Sequence, residues 1–174
     1  MNRFLLVPLV VLHIIIGFAL CFTIPGCSKD SSPSSSGTTH NDEVDLGQLE
    51  QKIYTLVNKH RTDKGLPSLE WSEPVAVQCR IHSQNMASGE VMFGHDGFEE
   101  RADSIRVALS FISIAENVAS NWGFEDPAQT AFDEWEQNSV HVANIEGDFN
   151  ITGVGVARNE IGSYYFTQIF VRRE

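Results

Sequence analysis

Apolar residues recur at helical spacing in the chain that follows residue 47. Leu49, Ile53 and Val57 repeat every four residues, and Lys64-Gly65 before a proline is typical of the end of a helix. This pattern predicts a first helix over about 47–64, with one face packed against a core.

Capping signals predict two further helices. Ser72 is a preferred N-cap residue, a proline follows in the first turn, and the apolar stripe beyond it predicts a second helix that ends near Gly89. Asp126-Pro127 opens another helix in the same way. Between these helices, 90–125 is rich in glycine and polar residues, so we expect a long connection with one short helix at about 99–108.

The last part of the chain has the pattern of a β-hairpin. Two runs rich in β-branched and aromatic residues, 151–158 and 163–172, are separated by the turn-forming segment 159–162. Helices followed by terminal strands indicate a mixed α+β class in a single domain.

The amino terminus has the layout of an export signal. Arg3 precedes an apolar run at 5–22, and the string Ile24-Pro25-Gly26-Cys27 that follows this run resembles a bacterial lipobox. The resemblance implies cleavage before Cys27 and lipid attachment to it. The alternative is an uncleaved membrane helix, since 5–22 is near the lower limit for spanning about 30 Å of hydrocarbon.

The predicted organisation is a signal peptide at 1–26, a Ser-rich linker at 27–47 that is expected to be a flexible spacer, and a domain at 48–174.

Charge and cysteine content narrow the partners and the compartment. The chain has 23 acidic residues against 12 basic ones and a formal net charge of −11, so nucleic acid and anionic lipid surfaces are poor partners. Of the three cysteines, Cys21 would leave with the signal and Cys27 would carry lipid. Cys79 then remains alone, and the domain has no disulfide framework.

Twelve short strings occur in an order that resembles one known family. They are Val57-Asn58, Arg61, Gly65-Leu66, Leu69-Glu70-Trp71, His82-Ser83, Met86-Ala87, His95-Asp96-Gly97-Phe98, Ala115-Glu116-Asn117-Val118, Trp135, His141-Val142-Ala143-Asn144-Ile145, Gly153-Val154-Gly155-Val156 and Tyr165-Phe166-Thr167-Gln168-Ile169-Phe170. The set is similar to the CAP superfamily of cysteine-rich secretory, antigen 5 and pathogenesis-related 1 proteins, in a disulfide-poor bacterial form. The resemblance implies an α-β-α sandwich with a central antiparallel sheet, and a strand near 115–120 that alternation alone does not predict.

The resemblance also points to a cleft. His95, Glu116 and His141 match three members of the family's cavity tetrad of two histidines and two glutamates, which binds divalent cations such as zinc in several relatives. Asn138 falls where many relatives have the second glutamate, and Val142 where an arginine is common. Two imidazoles and one carboxylate suit zinc, copper or nickel with a coordination position left free.

Each of these residues has a structural alternative. Glu116 can instead accept hydrogen bonds from the imidazoles and orient them without any metal. We expect His82 to be a structural histidine on a helix stripe, Asp96 to form a turn and Asn117 to cap backbone groups. Three aromatic residues are expected in the core, namely Phe132, Trp135 and Phe170.

Three functions remain open from the sequence. The first, which we prefer, is a tethered extracytoplasmic binding module for a small molecule, a lipid or another envelope protein, with or without a metal. The second is a metal-assisted hydrolase or protease with Glu116 as the base; no His-Glu-x-x-His helix, Gly-x-Ser-x-Gly elbow or exposed cysteine nucleophile accompanies it. The third is a structural or adhesive envelope domain with a vestigial site.

Overall fold

The computed structural model describes residues 45–173, which contain five helices and four strands. The helices are α1 (Leu46–Asp63), α2 (Glu73–Ser88), α3 (Phe98–Ala108), α4 (Pro127–Glu136) and α5 (Ser139–Ile145), and the strands are β1 (Glu70–Trp71), β2 (Ser113–Asn121), β3 (Ile151–Arg158) and β4 (Tyr164–Arg172). None of these helices is long and apolar enough to cross a membrane. The predicted signal peptide, Cys27 and the linker up to residue 44 lie outside the described residues.

The four strands form one sheet in the order β1-β3-β4-β2. The predicted hairpin of β3 and β4 is confirmed, and β2 pairs antiparallel with β4, with Glu116 opposite Ile169. The two-residue strand β1, which the sequence pattern did not predict, pairs parallel with β3. The sheet is therefore antiparallel except at this short edge.

Helices cover both faces of the sheet, which confirms the α-β-α sandwich. On one face, α1 and α4 form a core that includes the predicted core residues Phe132, Trp135 and Phe170. On the other face, α2 and α3 pack against the sheet through a second core that includes Ile105 and Ile169. Because both faces of the sheet are covered, consecutive residues of β2 are buried, whichever face they point to. β2 therefore lacks the alternation of apolar and polar residues that would have predicted it.

The glycines of β3 allow α2 to lie directly on the sheet. A Cβ added at Gly153 would lie 2.3 Å from the backbone nitrogen of Ala76, and one at Gly155 would lie 2.1 Å from that of Arg80. The buried free thiol of Cys79 donates to the carbonyl of Gly153 at 3.3 Å. The Gly-x-Gly string is therefore a close-packing site.

A short helix carries the second histidine of the candidate cleft. His141 lies within α5, which follows the N-cap Asn138. The side-chain oxygen of Asn138 accepts from the backbone nitrogen of Val140 at 2.9 Å. Buried Arg61 of α1 holds the end of α5, since its guanidinium donates to the carbonyls of Ile145 and Gly147.

Candidate functional site

Glu116 of β2 is the centre of a buried polar cluster. Its side chain is only 2% exposed, whereas that of His95 is 53% exposed. Arg101 of α3 binds the carboxylate in a two-point ion pair, with Nε 2.9 Å from Oε2 and Nη2 2.8 Å from Oε1. The same Oε1 lies 2.9 Å from Nδ1 of His95. Both oxygens of the carboxylate thus accept hydrogen bonds from Arg101, and Oε1 is also shared with His95.

The contact with Glu116 determines the tautomer of His95. An ionised carboxylate only accepts hydrogen bonds, so Nδ1 of His95 carries the proton. Whenever the ring is neutral, its Nε2 then keeps a lone pair, on a side chain that is half exposed. This arrangement, in which a buried carboxylate orients an imidazole, is the usual support of a metal-binding or ligand-binding histidine.

The sequence reasoning missed Arg101, which also holds the loop that carries His95. The guanidinium donates to the carbonyls of Asp96 at 2.8 Å and His95 at 3.4 Å. Asp96 lies in the predicted turn, which is closed by a hydrogen bond from the nitrogen of Phe98 to the carbonyl of His95. A signal was available: Arg101 and Ile105 are one helical turn apart, so a charged residue lies on the inward stripe of α3.

His82 supports the same loop from α2. It is buried, as predicted for a structural histidine, and its Nε2 lies 2.8 Å from the carbonyl of Gly94. Burial lowers the pKa of His82, with a smaller opposing effect from this hydrogen bond. The ring is therefore held neutral, in which state it donates to the carbonyl next to His95.

His141 lies in a drier environment than His95. Its Nδ1 is buried without a hydrogen-bond partner among the described residues, and its ring packs edge-on against Trp135 with centroids 6.5 Å apart. Burial, and then the nearby charge of His95, lower the pKa of His141.

Two asparagines connect α5 to β2 by hydrogen bonds to backbone carbonyls. Asn117 donates to the carbonyl of His141 at 3.2 Å, which confirms its expected role as a partner of the backbone. Asn144 donates to the side-chain oxygen of Asn117 at 2.8 Å and to the carbonyl of Glu116 at 3.2 Å. Asn138, in contrast, is occupied in capping α5.

The donor set differs from a three-ligand metal centre. Within residues 45–173, no three side chains of His, Cys, Asp or Glu are grouped so as to hold a metal ion. Both oxygens of Glu116 already accept from Arg101, so metal ligation by this carboxylate would require a buried ion pair to break. Glu116 is therefore placed to orient His95 and not to bind a cation itself.

A second histidine cluster lies between α1, α4 and α5, and sequence reasoning did not identify it. Nδ1 of His60 lies 2.7 Å from Glu136 and Nε2 lies 2.8 Å from Glu146. The hydrogen bond to His60 lowers the pKa of Glu146, with a smaller contribution from Lys64. No local pattern could reveal this cluster, because its members are 76 and 86 residues apart.

Comparisons with known proteins agree with this fold. The chain is 32% identical over 130 residues to the membrane protein YlbC of Bacillus subtilis, an alignment that covers 71% of this chain and 34% of that protein. It is similar to an extracellular protein of Bacillus anthracis that contains an SCP domain, with 26% identity, a TM-score of 0.63, and coverage of 74% of this chain and 41% of that chain. An outer surface protein of Borrelia burgdorferi shares the fold, with 17% identity, a TM-score of 0.62, and coverage of 75% of this chain and 97% of that chain.

The chain spans only about a third of the length of the curated relative and about two fifths of the Bacillus anthracis protein. The shared region is the α-β-α domain itself. The family model that matches is that of the cysteine-rich secretory proteins, and it covers residues 54–170, which include His95, Glu116 and His141. The chain therefore belongs to the cysteine-rich secretory protein family, CAP.

Proposed function

We propose that this chain is an extracytoplasmic binding module, tethered to a membrane, in which His95 and His141 receive the ligand. The observation that carries this proposal is the pairing of a half-exposed imidazole with a buried, ion-paired carboxylate. Glu116 and Arg101 orient His95, and their own side chains are buried from solvent. A binding surface needs such prior orientation, because less conformational freedom is then lost when the ligand binds.

A divalent cation of the zinc class is the ligand that this chemistry favours first. The Nδ1–H tautomer of His95 leaves Nε2 as a donor to a metal, and the neutral state of His141 suits the same role. Two imidazoles leave the other coordination positions to water or to a group from a partner. Such an open site is suited to bridging the domain to a small molecule or to another envelope protein.

Zinc titration of the metal-free chain tests this proposal. Zinc at a hundredfold excess over its dissociation constant is expected to stabilise the fold by about 2.7 kcal/mol, seen as a rise in the melting temperature. The gain should disappear below about pH 6, as the imidazoles take up protons. Glu116→Gln is expected to weaken zinc binding by roughly 10–100-fold, as is usual for loss of an orienting partner.

The matched control is His60→Gln, which removes a histidine outside the proposed site. It should keep the zinc response, whereas His95→Ala/His141→Ala should abolish it. Equal zinc responses in the wild type and the double variant would contradict the proposed site. The structural or adhesive envelope domain would then be the better assignment.

The contacts of Glu116 argue against the metal-assisted hydrolase. A general base must offer a free lone pair to the attacking water, and both oxygens of Glu116 already accept strong hydrogen bonds. Turnover of a broad peptide library that is lost in Glu116→Gln would nevertheless favour the hydrolase over a binding module.

Export and tethering are supported by the sequence before the domain and by the relatives. The apolar run at 5–22 precedes Cys27, one relative is named a membrane protein, and another is named extracellular. We expect the mature chain to begin at a lipid-modified Cys27, found in the membrane fraction with the corresponding mass. The Cys27→Ser variant should lose this mass. A membrane-bound chain that still begins at Met1 would instead identify 5–22 as an uncleaved anchor.

A further inference from the structure

Three large apolar side chains are exposed at one end of the sheet. Trp122 is 67% exposed, Phe124 is 53% exposed and Ile161 is 77% exposed. Trp122 and Ile161 are in contact, since the indole Nε1 donates to the carbonyl of Ile161 at 3.1 Å and the ring lies against Gly162. We call these three residues the apolar end; it joins the loop after β2 to the β3–β4 turn.

The apolar end lies beside the start of the domain. Phe124 and Tyr164 line a surface cleft of about 730 Å³ together with Gln48, Leu49 and Lys52 from the first two turns of α1. The N-cap of α1 is Asp45, so the chain from the predicted anchor enters the domain at this same end. Exposed Trp side chains are typical of the interfacial region of a bilayer, and Phe is common among the side chains that enter it.

The charges around the apolar end do not favour an anionic surface. Lys52 is paired with Asp126, and the guanidinium of Arg158 lies over the ring of Tyr164 at 5.3 Å from its centroid. Two further acidic residues, Glu125 and Glu160, belong to the same loops. Any attraction to a membrane at this end must therefore come from apolar insertion into a neutral, zwitterionic interface.

We infer that the apolar end rests in the interface of the bilayer that anchors the chain, with Trp122 and Phe124 inserted at headgroup level. This inference rests on the tethering proposed above. Seventeen residues, 28–44, separate Cys27 from the N-cap of α1. Such a tether keeps the domain at high effective concentration next to the membrane, so that even a weak apolar contact is occupied.

Fluorescence quenching in vesicles tests the orientation. The full chain is reconstituted into phosphatidylcholine vesicles whose acyl chains carry bromine near the headgroups. Trp71 serves as an internal reference, because it pairs with Thr152 near the start of β3 and lies about 20 Å along that strand from the end at Arg158. In the Trp71→Phe variant, Trp122 is the exposed reporter, and brominated lipid should reduce the tryptophan fluorescence. In the Trp122→Phe variant, Trp71 is the reporter, and brominated lipid should leave the tryptophan fluorescence unchanged.

A second comparison tests the apolar contact itself, in the Trp71→Phe background. Phe124→Ser/Ile161→Ser should abolish the quenching of Trp122. The matched control, Val107→Ser/Ile112→Ser, removes two exposed apolar residues near the opposite end of β2 and should leave the quenching unchanged. Replacing part of the lipid with an anionic phospholipid should not increase the quenching. Equal quenching of Trp71 and Trp122, or quenching of neither, would overturn the inference.

Flotation of the same vesicles separates this inference from the tethering proposal. If the chain does not float with the lipid, tethering fails. The orientation is then measured on the full Cys21→Ser chain, coupled through Cys27 to a maleimide-bearing lipid, since buried Cys79 is not available to the reagent. Selective quenching of Trp122 in that sample would still support a membrane-facing apolar end, and its absence would reject it.

Discussion

Replacement of Arg101 by methionine is the sharpest test of how the candidate site is held together. The substitution keeps the bulk of the side chain but removes two hydrogen bonds to Glu116 and two to the loop carbonyls of His95 and Asp96. It leaves a carboxylate that is 2% exposed, with His95 as its remaining partner among the described residues. Breaking a buried ion pair in this way costs about 3–5 kcal/mol of unfolding free energy.

The assay is urea unfolding at pH 7.5, followed by tryptophan fluorescence, to which buried Trp135 contributes together with Trp71 and Trp122. Arg106→Met is the matched control on the same helix, because Arg106 forms an exposed ion pair with Asp103 that is worth about 0–1 kcal/mol. The double variant Arg101→Met/Glu116→Leu removes both buried charges. It should be more stable than the sum of the two single losses predicts, by about 0.5–3 kcal/mol.

The pH dependence provides an independent check on Arg101→Met. Without the guanidinium, the folded variant is stabilised when the buried cluster takes up a proton, so the folded variant binds more protons than the unfolded chain. Its stability relative to the wild type should therefore recover as the pH falls from 8 to 5. If Arg101→Met and Arg106→Met cost the same, or if the loss does not change with pH, the buried ion pair does not organise this site.

Three further measurements test other parts of the structure. Gly155→Ala should lower the unfolding free energy by about 3 kcal/mol or more, because its Cβ would lie 2.1 Å from the backbone nitrogen of Arg80; an unchanged urea midpoint would mean that α2 moves away freely. In NMR titrations, His82 and His141 should protonate below the ordinary histidine range, since burial lowers both pKa values. The unfolded chain then binds more protons, so their contribution to stability is present at pH 7.5 and is lost toward pH 5; titration of either at or above the ordinary value would contradict this. Burial raises the pKa of the Cys79 thiol, so a thiol reagent should modify Cys79 only on unfolding. Rapid labelling of Cys79 itself in the native chain would refute its burial.

Local sequence patterns were sufficient for most of the architecture. The period of Leu49, Ile53 and Val57 predicted α1, and the caps at Ser72 and Gly89 bound α2 as observed. These predictions succeeded because helix periodicity and capping depend on residues within a few positions of one another. The β3–β4 hairpin followed for the same reason, since its strands are adjacent in sequence.

The helix α5 and the strand β1 were missed because neither has a local signal of its own. α5 is seven residues long, and tertiary contacts such as that from buried Arg61 hold its end. β1 is two residues long and exists only because its backbone pairs with β3. The family resemblance was needed to expect β2, whose burial on both faces hides the alternation.

By itself the sequence determined α1 to α4, the hairpin and the order of the candidate histidines along the chain, because each depends on residue type and near neighbours. Only the tertiary structure decided that Arg101 occupies the carboxylate of Glu116, and that this carboxylate orients His95. Only it placed the apolar end beside the start of α1. These contacts join residues from different helices and strands. Their distances are set by how the core packs, and a pattern of neighbouring residues along the chain does not specify them.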